Sequence, residues 1–273
     1  MKTKLILALV ILPLVGVLAS SKELPVQPGN GEVIQFPGAF PKPPKPSPQI
    51  DSDFNHKEER FFVHVPASYT GKEPFGLIVF VDAEKSRNAL PAEWEAVLEK
   101  RKILFVAPQN VGNDQSAKRR QGLAVASALA MMRHYNIDRK KVYSAGLSGG
   151  ARIAGRLGFH APDVFRGTIQ SCGADFHKPV PLVAVTAEKA AAEAEPYGII
   201  KVSQAQVDYA RTRVKFVLIT GSNDFRYPFI QDIYNGGYKP GRYKALLLDV
   251  PDMGHVICDG AALEAALDFL GKP

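Results

Sequence analysis

The stretch that decides the fold runs from residue 141 to residue 159 and reads KVYSAGLSGGARIAGRLGF. Lys141 to Ala145 has the composition of a buried strand, and Gly149 to Phe159 reads as a helix. Between them lies Gly146-Leu147-Ser148-Gly149-Gly150, a G-x-S-x-G. A strand before the motif and a helix after it are the context of a nucleophile elbow. The turn is so tight that residues flanking the serine must be glycine or very small. Ser148 is then held above a sheet, at the N-terminus of a helix. The backbone N–H of Gly149 faces the place where an oxyanion would develop, and a fixed donor there is worth several kcal/mol.

Outward from this point, strands and helices alternate. Arg60 to Val65 reads as an opening strand, and Gly76 to Val81 (GLIVFV) and Ile103 to Ala107 (ILFVA) as central strands buried on both faces. Pro91 to Lys100, with Pro91 in the first turn, and Ala117 to Tyr135 read as helices. After the elbow come a short strand from Gly167 to Gln170, a helix from Ser203 to Arg211 and a strand from Val214 to Thr220. A helical segment from Phe225 to Asn235, a strand from Tyr243 to Val250 and an amphipathic helix from Ala261 to Leu270 close the chain. This alternation predicts βαβ units and a mostly parallel central sheet flanked by helices on both faces. The stretch from Ala174 to Arg213, with its Ala/Glu-rich segment from Ala187 to Glu195, fits no regular pattern throughout.

A serine hydroxyl needs a base to become a nucleophile. Of six histidines, His255 alone lies between the last strand and the last helix, on the same sheet edge as Ser148. The base needs an acid to fix its tautomer. Asp224 follows the strand VKFVLIT through Gly221-Ser222-Asn223 and is favoured over Asp249, inside a strand, and Asp252, in the histidine's own loop. The order Ser148, Asp224, His255 is the one found on α/β-hydrolase folds. His177, Arg226 and Tyr227 are candidates to line the substrate site.

From about Arg60 onward the chain resembles the extracellular esterases grouped with polyhydroxyalkanoate depolymerases, feruloyl esterases and acetylxylan esterases. The residues that carry the likeness are Phe62-Val63-His64-Val65-Pro66 with Tyr69, GLIVFV, the GLSGG elbow, GSNDFRY and PDMGH. The resemblance implies an α/β-hydrolase fold and ester cleavage through a covalent acyl-enzyme, with no metal or organic cofactor. It departs from the family after GLIVFV, where His-Gly is usual and this chain has Asp82-Ala83. The second oxyanion donor is then the backbone of Ala83 or Glu84, and the acidic pair Asp82 and Glu84 sits uncomfortably close.

Of the 273 residues, 46% are hydrophobic and 22% charged, enough apolar material for one large domain. The net charge of +7 is scattered, in short basic runs such as Lys118-Arg119-Arg120, which argues against nucleic acid as a partner. Lys2 and Lys4, an apolar run from Leu5 to Leu18 and Ala19-Ser20-Ser21 have the pattern of a secretory signal cleaved after Ala19. The expected organisation is a signal peptide at 1–19, a Pro-rich extended lead-in at 20–55 and a catalytic domain at 56–273. That places a secreted or periplasmic protein on small or polymer-attached esters, without stable membrane insertion after cleavage. Export also makes a disulfide between Cys172 and Cys258 a candidate, against the alternative of two reduced, separately buried thiols. Rival readings are a serine peptidase, a lactone or thioester hydrolase, or an inert polymer-binding relative.

Overall fold

The computed structural model describes residues 23–43, 47–183 and 199–272. The signal segment and the stretch from Ala187 to Glu195 lie outside these described residues. The strands are β1 (Gly31–Ile34), β2 (Phe61–His64), β3 (Phe75–Val81), β4 (Ile103–Pro108), β5 (Ile137–Leu147), β6 (Gly167–Ser171), β7 (Lys215–Thr220) and β8 (Lys244–Asp249). They form one sheet in the order β1-β2-β4-β3-β5-β6-β7-β8. β1 and β2 run antiparallel to their neighbours, and every pairing from β4 to β8 is parallel.

The helices are α1 (Trp94–Arg101), α2 (Ala117–His134), α3 (Gly149–His160), α4 (Gln204–Arg213), α5 (Tyr227–Ile233) and α6 (Gly260–Gly271), with a single wide π turn at Tyr234–Tyr238 after α5. Side chains alternate across the sheet, as a pleated strand requires. Leu77, Val79 and Val81 of β3 pack with Leu123, Ala124 and Ala128 of α2 and Ile153 of α3. Ile78 and Phe80 enter the opposite layer, with Trp94 of α1 and Leu263, Ala266 and Leu267 of α6. This double burial is why the strands read as unbroken apolar runs. Near β7 and β8, Phe216 and Leu218 join a third cluster with Val207 and Ala210 of α4 and Phe229 and Ile230 of α5.

Two local departures from the sequence reading have tertiary causes. Helix α1 begins at Trp94, not in the turn of Pro91, because Glu93 adopts φ 64° and breaks the helical path. The start is fixed from outside: the Trp94 indole donates to the Cys258 carbonyl at 2.8 Å, and the Gly260 N–H donates to the Glu93 carboxylate at 3.2 Å. The Pro-rich lead-in, for its part, lies along the domain and takes part in it. Its proline-free piece forms edge strand β1, the one sheet position compatible with so many missing donors nearby. Val26, Phe36 and Ile50 are buried in the main core, and the Tyr135 hydroxyl meets both the N–H of Val26 at 2.9 Å and its carbonyl at 3.2 Å. The lead-in therefore covers the flank of α2.

Candidate active site

The parallel strands bring their C-terminal ends to one edge. Leu147 pairs with Ser171, Ser171 with Ile219, and Thr220 with Asp249. Ser148, Cys172, Asp224 and His255 all lie in the turns that leave this edge.

Ser148 has φ 55° and ψ −120°, a conformation that a residue with a side chain adopts only under constraint. Its N–H donates to the Ser171 carbonyl at 2.8 Å, and its carbonyl accepts from Arg152 N–H at 3.1 Å as α3 begins. The flanking glycines are required by close approach. A Cβ on Gly146 would lie 2.4 Å from the backbone carbon of Gly150, and one on Gly150 would lie 2.0 Å from the carbonyl oxygen of Val81. The start of α3 is thus seated directly against the end of β3. That contact carries the Asp82-Ala83 loop up to the elbow, where Gly149 offers one of the first N–H groups of α3, which have no partner within the helix.

The acidic pair after β3 is disposed of by its partners. The Asp82 carboxylate is buried, accepts from the Glu84 N–H at 3.2 Å and pairs with the Arg87 guanidinium at 2.7 Å. Its carbonyl accepts from Arg120 at 2.8 Å, and the Ala83 carbonyl accepts from Asn113 N–H at 2.9 Å. The loop is fixed on both sides of Ala83, the Asp82 charge is compensated, and Glu84 is exposed.

His255 Nδ1 lies 2.7 Å from Asp224 Oδ1. Asp224 is buried, and both its oxygens accept hydrogen bonds: Thr220 donates to Oδ2 at 2.8 Å, and the Arg226 N–H donates to Oδ1 at 3.0 Å. The rivals are elsewhere. Asp249 accepts from the Tyr227 hydroxyl at 2.6 Å, while Asp252 is an exposed turn residue with φ 57°. Among the described residues no hydrogen bond joins the Ser148 hydroxyl to His255. The exposed Phe225 ring covers one face of the imidazole, with centroids 4.3 Å apart, and the Arg226 guanidinium lies over Phe225 at 5.5 Å.

Three sequence expectations are corrected. Cys172 and Cys258 are both free and buried. Cys172 turns at φ 55° and directs its Sγ toward the carbonyls of Gly254 at 3.4 Å and Val256 at 3.3 Å, beside Asp224, so its thiol braces the histidine loop without a covalent link. Burial, reinforced by Asp224, raises its pKa. Burial likewise pushes Cys258 up to about 11. His177 does not line the site. Its Nε2 meets the Tyr243 hydroxyl at 2.7 Å, and its ring packs on Phe176 and Phe159 at 4.5 and 5.4 Å. Tyr227 has its hydroxyl committed to Asp249, which leaves Arg226, held over Phe225, as the one of the three at the rim.

The position of His177 makes a prediction about acid. Burial first, then Lys178 and Arg211, push its pKa from 6.5 down to about 4. The unfolded chain therefore takes up this proton at a higher pH than the fold does. The stability is complete above 6.5 and is lost as pH falls toward 4. The urea midpoint should drop between about pH 7 and about pH 5, and less in His177→Gln, which ought to keep an acceptor for Tyr243 without titrating.

Sequence reasoning missed Thr220, Phe225, Arg87 and the bracing role of Cys172. Only Phe225, adjacent to Asp224, carried a usable signal. Thr220 and Arg87 make short-range contacts, four and five residues along the chain, that depend on how each turn folds, and Cys172 acquires its contacts from a segment more than 80 residues away.

No protein-family model matches the sequence, and neither does any curated protein. Solved structures do match. A ferulic acid esterase superposes with a TM-score of 0.57 at 17% identity, covering 78% of this chain and 91% of that one. The fold is that of an α/β-hydrolase. An esterase from Pyrobaculum calidifontis gives 0.58 at 15% identity, covering 89% of this chain and 85% of the other. S-formylglutathione hydrolase from Staphylococcus aureus gives 0.56 at 14%, covering 78% and 93%. Within this fold, the elbow and the His255–Asp224 pair stand at the end of the sheet where ligands of open parallel sheets bind.

Proposed function

We propose that the chain is an exported serine hydrolase that cleaves carboxylic esters. The observation that carries this reading is the 2.7 Å contact between His255 Nδ1 and Asp224 Oδ1, on the edge where Ser148 stands at φ 55°. Asp224 holds the imidazole with its proton on Nδ1, which leaves the Nε2 lone pair to take the proton of Ser148. The Ser148 oxygen then attacks the ester carbonyl. The N–H groups of Gly149 and Ala83 stabilise the resulting oxyanion, and His255 returns the proton to the departing alcohol. Water repeats the cycle on the acyl-enzyme. The bond from Ser148 to His255 forms when substrate closes the site, since such contacts are commonly long in free enzymes. No cofactor is called for by this chemistry.

The substrate is a small or polymer-attached ester, with Arg226 and Phe225 at its edge. The esterases among the structural neighbours favour this class, and the pairing of Asp82 with Arg87 weakens the reading as an inert binding protein. A thioester is the second reading, supported by the likeness to S-formylglutathione hydrolase. Export rests on the pattern of residues 1–21.

Labelling with a fluorophosphonate probe tests the reading. Wild-type protein should label on Ser148 and hydrolyse short nitrophenyl esters, and Ser148→Ala should do neither. Well-folded wild type that neither labels nor turns over would refute the serine mechanism.

A further inference from the structure

Three side chains of different chemistry converge at this edge of the sheet. Cys172 Sγ, a carboxylate oxygen of Asp224 and a ring nitrogen of His255 all lie within 4.8 Å of one another. We propose that Cys172, Asp224 and His255 form a binding site for a soft divalent cation such as Zn²⁺, and that the ion switches the enzyme off by holding His255 in the wrong tautomer. The switching rests on the proposed role of His255 as base; the binding does not.

The ligand set suits zinc. The ion takes sulfur at about 2.3 Å, nitrogen at about 2.0–2.1 Å and carboxylate oxygen at about 2.0–2.2 Å, commonly in a tetrahedron. Ligand atoms then stand roughly 3.3–3.7 Å apart, so movements of about 1 Å would gather these three. They come from three separate turns, after β6, after β7 and after β8, and Cys172 and Asp224 are each held by neighbouring groups. Cys172 is held at φ 55° with its sulfur against the carbonyls of Gly254 and Val256. Asp224 receives Thr220 and the Arg226 N–H. The contacts received by Asp224 persist when an ion binds and orient it as a ligand, whereas Cys172 exchanges its thiol hydrogen bonds to the two carbonyls for the bond to the ion. A thiolate and a carboxylate balance the dication, so the loaded site buries no net charge. The His255 side chain is 24% exposed, which leaves a route for the ion and for a water as fourth ligand.

Binding forms one bond from the ion to each of Sγ, the carboxylate oxygen and Nδ1. The Cys172 thiol gives its proton to solvent. Nδ1 loses its proton and Nε2 gains one, so one proton is released per ion. With Nε2 protonated, His255 has no lone pair to accept the proton of Ser148, and the acyl-enzyme cannot form.

Cadmium titration of the full-length protein tests the site, because thiolate coordination gives an ultraviolet charge-transfer band whether or not the protein is active. The expected result is a band that saturates at one ion per chain, persists in Cys258→Ser and is absent in Cys172→Ser. Should Cys172→Ser fail to fold, the ¹¹³Cd resonance of the wild type should report a single sulfur ligand with nitrogen and oxygen. No band, a full band in Cys172→Ser, or a two-sulfur resonance would overturn the site. Zn²⁺ should lower nitrophenyl ester turnover more than tenfold, reversibly with EDTA. Cys172→Ser should need at least tenfold more Zn²⁺ for half-inhibition of its own rate. Full turnover in zinc-saturated wild type would overturn the switch. A cadmium band in a protein with no ester turnover at all would uphold the site and overturn only the catalytic reading.

Discussion

Asp224→Asn should lower kcat for a nitrophenyl ester by about 10⁴-fold while leaving KM within a few-fold of wild type. The substitution conserves shape: with the amide nitrogen at the Oδ1 position facing His255, the remaining oxygen keeps the hydrogen bond from Thr220, while the Arg226 N–H loses its acceptor. What changes is the group facing His255. An amide N–H directed at Nδ1 turns that nitrogen into an acceptor and moves its proton to Nε2. The base is then unable to receive the Ser148 proton. Loss of the buried charge opposite the imidazole adds to the defect, since the imidazolium formed during attack is no longer compensated. Steady-state kinetics with circular dichroism to verify folding would check this. A loss of less than tenfold would mean that Asp224 is not the orienting acid, and Asp249 and Asp252 would have to be reconsidered despite their distance from the ring.

Gly150→Ala should destabilise the protein by about 3 kcal/mol and remove most of the activity at the same time. In an ordinary helix position the change would stabilise by up to about 1 kcal/mol, because alanine has the higher helix propensity. Here the new methyl would stand 2.0 Å from the Val81 carbonyl oxygen and 2.8 Å from its carbon. Both atoms are backbone in a central strand, so no rotamer change relieves the overlap. The steric term wins, and α3 must move away from β3. That movement separates the Gly149 N–H from the Asp82-Ala83 loop and spoils the proposed oxyanion site. Urea unfolding and ester turnover would be measured on the same preparation. Wild-type stability would show that the elbow can relax, which its backbone contacts argue against.

Much of the architecture is written in local pattern. The runs GLIVFV, ILFVA and VKFVLIT are continuous because each strand is buried on both faces, which only a sheet covered by helices on two sides provides. The Gly-rich turn at Ser148 is equally local: its glycines reflect the contact between β3 and the start of α3. The order Ser148, Asp224, His255 follows from parallel topology, which delivers successive strand ends to one edge. The approach of His255 to Asp224 was therefore legible as an expectation before any distance was known.

The failures share a different character. The disulfide between Cys172 and Cys258, one of two alternatives left open, is suggested by placement near the same edge, but placement in sequence says nothing of where a side chain points. Cys172 turns under the histidine loop because of its positive φ, toward the carbonyls of Gly254 and Val256. His177 lies near the site in the chain, yet Tyr243 and two phenylalanines hold it in the core. The acidic pair after β3 read as a threat to an oxyanion until Arg87 was seen to neutralise Asp82. The sequence by itself determined the layered α/β order and the chemical identity of the three residues at the sheet edge, because periodicity and turn chemistry are short-range properties. Only the tertiary structure decided which thiol stands beside the imidazole, which side chains hold Asp224 in place and which charges cancel, because side-chain direction and pairing between segments are fixed by packing and not by neighbours in the chain.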